Sequence, residues 1–180
     1  MKTCVALFRG INVGGKNLLP MKVLVAILED LGLRGVKTYI QSGNSVFQGP
    51  DQDLSRLSSK IAREIQKRRG FEPQVLLLKP VDIEEVISKN PFPEAEGDPA
   101  SLHIGFLASA PENPDLKTIS KLKTGSERFR LIGRVFYLHA PAGIGRSKLA
   151  AKAEYLLGVP MTDRNWRTVC KLRQMTQELG

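Results

Sequence analysis

The residues best suited to chemistry stand at the start of the chain, in the run Arg9-Gly10-Ile11-Asn12-Val13-Gly14-Gly15-Lys16-Asn17. Three glycines, two cations and two asparagines follow an apolar segment, Thr3 to Phe8, that reads as a buried strand. Glycine lets a backbone turn sharply and come close to a ligand, and free N–H groups beside cations suit an anion. Arg9, Asn12, Lys16 and Asn17 are the candidate contacts, with Gly14 and Gly15 giving access to the backbone. The spacing Gly10-x-x-x-x-Gly15-Lys16 is most of a P-loop, whose full pattern continues with a Ser or Thr that ligates magnesium. Here the next residue is Asn17, and Leu18-Leu19-Pro20 delays the helix that should aim its amides at a phosphate. The pattern supports anion binding in general and argues against a nucleotide hydrolase or kinase.

Other residues add to this picture with weaker patterns. Gln41-Ser42-Gly43-Asn44 has the composition of a hairpin turn, and Ser42 and Asn44 join the candidate contacts because their hairpin belongs to the same half of the chain. Arg164, Asn165 and Arg167 are candidates to close the site from the C-terminus. The loop from His139 to Lys148 ends on a helix start with two cations, a plausible anion seat. Lys123-Thr124-Gly125 is a short match to a triplet of penicillin-interacting serine enzymes and lacks the supporting Ser-x-x-Lys. The two histidines, His103 and His139, fall in predicted strands and in no metal-ligand spacing, so no metal site is expected. Catalytic residues are not identified; Asp163 is the best available acid–base candidate and equally a helix cap. No cofactor is indicated.

The chain of 180 residues carries a formal net charge of +9, with 42% hydrophobic and 25% charged residues. That composition is globular, and its excess of cations favours acidic partners. An anionic small molecule is the first of these and nucleic acid the second. Nucleic acid would use cationic stripes at helical spacing: Arg56, Lys60, Arg63 and Lys67 on one helix, and Arg164, Arg167 and Lys171 on the last. Trp166 is the single tryptophan and a core anchor rather than a stacking platform. An enzyme of unknown reaction, phosphoryl transfer among them, is the third reading. No apolar stretch approaches the roughly 20 residues that span a bilayer, and no membrane partner is expected. The N-terminal apolar run is too short for a signal peptide, and Cys4 and Cys170 form no disulfide framework. A cytoplasmic location follows as the expectation, with a monomer as the default.

Periodicity predicts the elements that position these residues. A strand at 3–9, a helix with Leu24, Ile27, Leu28 and Leu31 inward, strands at 36–41 and 45–48, a helix over about 53–69 and a strand at 74–79 make the split βαβ order. A short helix (Ile83, Val86, Ile87) and Asn90-Pro91-Phe92-Pro93 connect the halves. The second half begins similarly: a strand at 102–107, a helix near 114–122, strands at 129–132 and 135–139 and a helix near 147–157. A short segment around Met161 and a last helix from about Asn165 complete the chain. The expected fold is α+β, two ferredoxin-like halves with antiparallel sheets and extra helices between the halves and at the C-terminus, with a single larger α+β sheet as the alternative. The expected division is 1–90, with the linking helix, and 91–180, with the C-terminal helix.

The run Phe8 to Asn17 resembles the opening of the bacterial family catalogued as domain of unknown function 1697. Thr38 to Asn44, Asn90-Pro91-Phe92, Gly145 to Leu149 and Arg164 to Val169 are similar to its other segments. The resemblance implies a cytoplasmic bacterial protein of two ferredoxin-like subdomains. It carries no established activity or catalytic residues. The family often has a small or hydroxyl residue where Asp163 stands, which weakens a catalytic role for that aspartate.

Overall fold

The computed structural model describes residues 1–50 and 53–180. Among the described residues, two four-stranded antiparallel sheets and six α-helices make an α+β protein of two ferredoxin-like units. The first unit comprises Met1–Glu85 and Lys171–Gly180, and the second Val86–Cys170. The last ten residues thus group with the first unit, and the helix that links the sheets straddles residues 85 and 86.

In the first unit β1 (Lys2–Arg9), α1 (Met21–Asp30), β2 (Arg34–Tyr39), β3 (Asn44–Gly49), α2 (Leu54–Arg69) and β4 (Gln74–Leu78) follow in order. The sheet runs β2-β3-β1-β4, with antiparallel neighbours throughout. That arrangement lacks the parallel neighbouring strands of a P-loop sheet, and α1 starts only at Met21. Strand residues alternate between faces. Cys4, Ala6 and Phe8 lie with Phe47 and Leu77 against Leu24, Ile27 and Leu28 of α1 and Leu57, Ile61 and Ile65 of α2. The opposite face carries Val5, Leu7, Val46 and Leu78, buried as well. Strand β1 is covered on both sides, which is why its sequence is an unbroken apolar run.

Local sequence explains where α2 begins and ends. The Asp53 carboxylate accepts from the Ser55 amide at 2.8 Å, satisfying an orphan N–H of the first turn. Gly70 ends the helix with a left-handed φ of 81°, and Lys67, Arg68 and Arg69 sit at the negative end of its dipole.

After α3 (Pro80–Ser88) and a 3-10 turn (Pro93–Gly97), the second unit repeats the order with β5 (Leu102–Leu107), α4 (Leu116–Leu122), β6 (Arg128–Ile132), β7 (Val135–His139), α5 (Lys148–Leu157) and β8 (Met161–Asn165). Its sheet runs β6-β7-β5-β8, the same pattern as the first. The segment around Met161 is therefore the fourth strand. Arg164 lies on that strand, not on α6 (Trp166–Leu179) as the helical stripe supposed. Its core joins Leu107, Phe136 and Leu138 to Leu149, Ala153 and Leu157. Trp166 is buried. At the far end of α6, Gln48 donates to the Leu179 carbonyl at 2.8 Å and Lys37 pairs with Glu178 at 3.4 Å, so the C-terminus is tied to β2 and β3.

Candidate functional site

The loop after β1 is a small, internally bonded hairpin. Its tip is Val13-Gly14-Gly15-Lys16, where the Lys16 amide donates to the Val13 carbonyl at 3.0 Å. Gly14 and Gly15 hold φ of 58° and 72°, the two left-handed residues of a type I′ turn. The Asn12 amide closes the next rung on the Asn17 carbonyl at 3.1 Å. Gly10, Asn12 and Asn17 are left-handed too, a conformation that asparagine tolerates better than other side chains.

Three side chains brace this hairpin, and two of them tie it to the rest of the unit. Asn12 Nδ2 donates to the carbonyls of Leu19 and Gln41, both at 2.9 Å, and its Oδ1 accepts from the Leu19 amide at 2.8 Å. Asn17 Nδ2 donates to the Gly10 carbonyl at 2.8 Å. Arg69 grips the Leu18 carbonyl with Nε at 3.2 Å and Nη2 at 2.9 Å. The sequence missed Arg69, although its place at the end of a basic run before Gly70 is a signal for a helix-terminal tether.

The candidate contacts of the first unit divide into two groups. Asn12 and Asn17 are engaged in shaping the loop. Asn44 is fully buried and donates to the Tyr39 carbonyl at 3.1 Å and to Ser42 Oγ at 2.9 Å, bracing the neighbouring turn. Arg9 donates to Gln74 Oε1 at 3.1 Å at the base of the loop. Lys16 is exposed, and its ammonium has no partner among the described residues. The Gly14 and Gly15 amides are likewise exposed and undonated.

Arg164, Asn165 and Arg167 belong to the second unit. Burial pushes the Arg164 guanidinium down to about 10, opposed by the charge of Asp163, and its Nη1 donates to the Asp163 carbonyl at 2.7 Å. Asn165 accepts from the Thr168 amide at 3.0 Å, which makes it the cap of α6. Arg167 is exposed. The Asp163 carboxylate lies 2.9 Å from Nδ1 of buried His103, whose Nε2 is 3.1 Å from the Ala100 carbonyl. This pairing ties β8 to β5. Among the described residues no three His, Cys, Asp or Glu gather as metal ligands.

The second unit also brings together two motifs that looked unrelated in sequence. The loops at 124–127 and 142–147 face each other across a cleft of about 150 Å³. Buried Glu127 joins them, accepting from the Thr124 amide and hydroxyl at 2.9 and 3.1 Å and from the Ser147 hydroxyl. Ser147 in turn caps α5 by accepting from the Ala150 amide at 3.0 Å. Burial pushes the Glu127 carboxyl up, but the Ser147 and Thr124 hydrogen bonds outweigh it and hold the group below its ordinary value of 4.5. A depressed folded-state value adds stability above the unfolded value that is lost as pH falls through the folded one. Thermal midpoints of wild type and Glu127→Gln are therefore expected to differ most near neutrality and to converge on acidification below about pH 4.5. Parallel curves would show that ionised Glu127 does not join these loops.

The Asn90-Pro91-Phe92 segment has a structural employment. The Arg128 guanidinium lies 4.7 Å from the centre of the buried Phe92 ring, pairs with Glu94 and donates to His139 Nδ1 at 3.0 Å. Burial and the Arg128 charge together push His139 down, which suits a neutral ring accepting that bond.

These features define a class, proteins of two ferredoxin-like units with a glycine-rich hairpin at the end of the first strand. The family model described as protein of unknown function (DUF1697) matches residues 1–137, and the chain belongs to that family. The solved structure of conserved bacterial protein SP0830 from Streptococcus pneumoniae is similar, at 28% sequence identity. The match has a TM-score of 0.69 and covers 97% of this chain and 98% of that one. No curated protein matches the chain. Among the described residues, no helix is long and apolar enough to cross a membrane.

Proposed function

We propose that the first unit binds a phosphorylated or otherwise anionic small molecule at the hairpin of residues 9–17. One observation carries this reading. Asn12, Asn17 and Arg69 spend their hydrogen bonds holding the loop in shape, while the Lys16 ammonium and the Gly14 and Gly15 amides are left exposed and uncommitted. Donors fixed in advance lose little freedom when a ligand arrives. The stretch from Arg9 to Asn17 holds no carboxylate, histidine or hydroxyl, so the reading is binding rather than turnover. Arg9 adds positive charge at the base.

Calorimetric titration with inorganic phosphate and a panel of nucleotides and sugar phosphates tests this. Lys16→Ala is expected to weaken the best ligand about tenfold, the value of a charge-assisted hydrogen bond, with the thermal midpoint unchanged. Equal affinity in the variant for every ligand would overturn the assignment. Nucleic-acid binding is a second reading, favoured by the exposed stripe Arg56, Lys60, Arg63 and Lys67 on α2. Oligonucleotide affinity that falls steeply with salt and survives Lys16→Ala would move the site to that helix.

A further inference from the structure

We propose that the anion bound at this hairpin carries an apolar chain: the ligand is an amphiphile such as an alkyl phosphate, its head on Lys16 and its chain on Val13, Leu18 and Ile40. The proposal deepens the anion-binding reading and rests on it. Val13, Leu18 and Ile40 are 68%, 56% and 53% exposed, three of the seven large apolar side chains that stand out in this way among the described residues. Single exposed apolar residues are ordinary on protein surfaces. Here one side chain ties together the three stretches of backbone that carry these residues. Asn12 precedes Val13, bonds both backbone groups of Leu19 next to Leu18, and bonds the carbonyl of Gln41 next to Ile40.

Ile40 adds an independent observation. Its φ is 51°, in the left-handed region that a β-branched residue avoids. Glycine or asparagine would remove both the backbone strain and the exposed apolar surface. A residue that carries both costs at the surface marks a position where its side chain is used. Lys16 is joined to Val13 by its amide, and Arg69 grips the Leu18 carbonyl, so both cations belong to the same cluster of backbone. Apolar contact beside fixed cations is the complement of an anionic head joined to an alkyl chain.

The full-length protein is titrated with inorganic phosphate, butyl phosphate and octyl phosphate, the last kept below self-association. Parallel arms use vesicles of phosphatidylcholine with and without phosphatidylglycerol. Affinity is expected to rise from phosphate to octyl phosphate, by up to about fourfold for each methylene that is buried. Ile40→Asn is expected to return octyl phosphate toward the affinity of inorganic phosphate while raising the thermal midpoint, because asparagine relieves the strain. Leu18→Ser, which asks for no backbone change, should weaken octyl phosphate as well. Octyl phosphate binding no tighter than inorganic phosphate overturns this inference and leaves the anion site standing, whereas failure of every anion to bind overturns both. Binding to anionic vesicles without binding to free octyl phosphate overturns it in favour of a membrane surface. Unchanged octyl phosphate affinity in both variants also overturns it.

Discussion

Gly43→Ala is expected to lower the free energy of unfolding by about 2–5 kcal/mol, through two costs that act together. Gly43 has a φ of 76°, which costs an L-residue about 1–2 kcal/mol. A Cβ built there lies 2.6 Å from Phe8 Cβ and 2.7 Å from Ile11 Cδ1, closer than real atoms approach. Phe8 has nowhere to retreat, since it sits in a central strand and its amide donates to the Gly43 carbonyl at 2.8 Å. Forcing a methyl into such packing adds about 1–3 kcal/mol. Gly14→Ala is the control, because φ is also positive there but nothing lies within 4 Å of the new methyl. Urea unfolding of the two variants measures the difference. A Gly43→Ala midpoint no lower than that of Gly14→Ala would show that the turn beside Phe8 is less tightly packed than described.

Asn12→Ala is expected to cost about 2–6 kcal/mol and to loosen the hairpin that carries Lys16. The variant strands the amide and carbonyl of Leu19, a residue with no exposed surface, and each buried unsatisfied group costs about 1–3 kcal/mol. Asn12→Asp should rescue only the Leu19 amide. It keeps the acceptor for the Leu19 amide but sets a carboxylate against two carbonyls where Nδ2 now donates. Hydrogen exchange at the Leu19 amide is the sensitive readout, with protection lost in Asn12→Ala. Retained protection would mean that the loop is held by Arg69 and Asn17 without its asparagine hub.

Much of this architecture was legible because it obeys local rules. The apolar run of β1, the inward spacing of Leu24, Ile27 and Leu28, and the asparagine–glycine turns all follow from periodicity and turn chemistry. The second unit was harder at its end. Met161-Thr162-Asp163-Arg164-Asn165 has polar residues where a strand is expected to be apolar, and only pairing with β5 reveals it. At the candidate site, sequence marked the glycines and cations but not their division of labour. An asparagine that binds a ligand and one that braces a loop look alike until Leu19 and Gln41 are seen beside it. Ile40 was illegible for a different reason, since propensity argues against isoleucine at a left-handed position and strain leaves no trace in composition.

The placement of the last ten residues bears on how the protein is made. Residues 171–180 complete the first unit, where the Leu179 carbonyl accepts from Gln48 and the Leu179 side chain fills the space beside Gly35. During synthesis the sheet of the first unit emerges before residues 171–180, and the whole second unit, Val86–Cys170, lies between them in the chain. Nascent chains therefore expose the Gln48 end of β3 until residues 171–180 have emerged. Completion of the first unit waits on synthesis of the second.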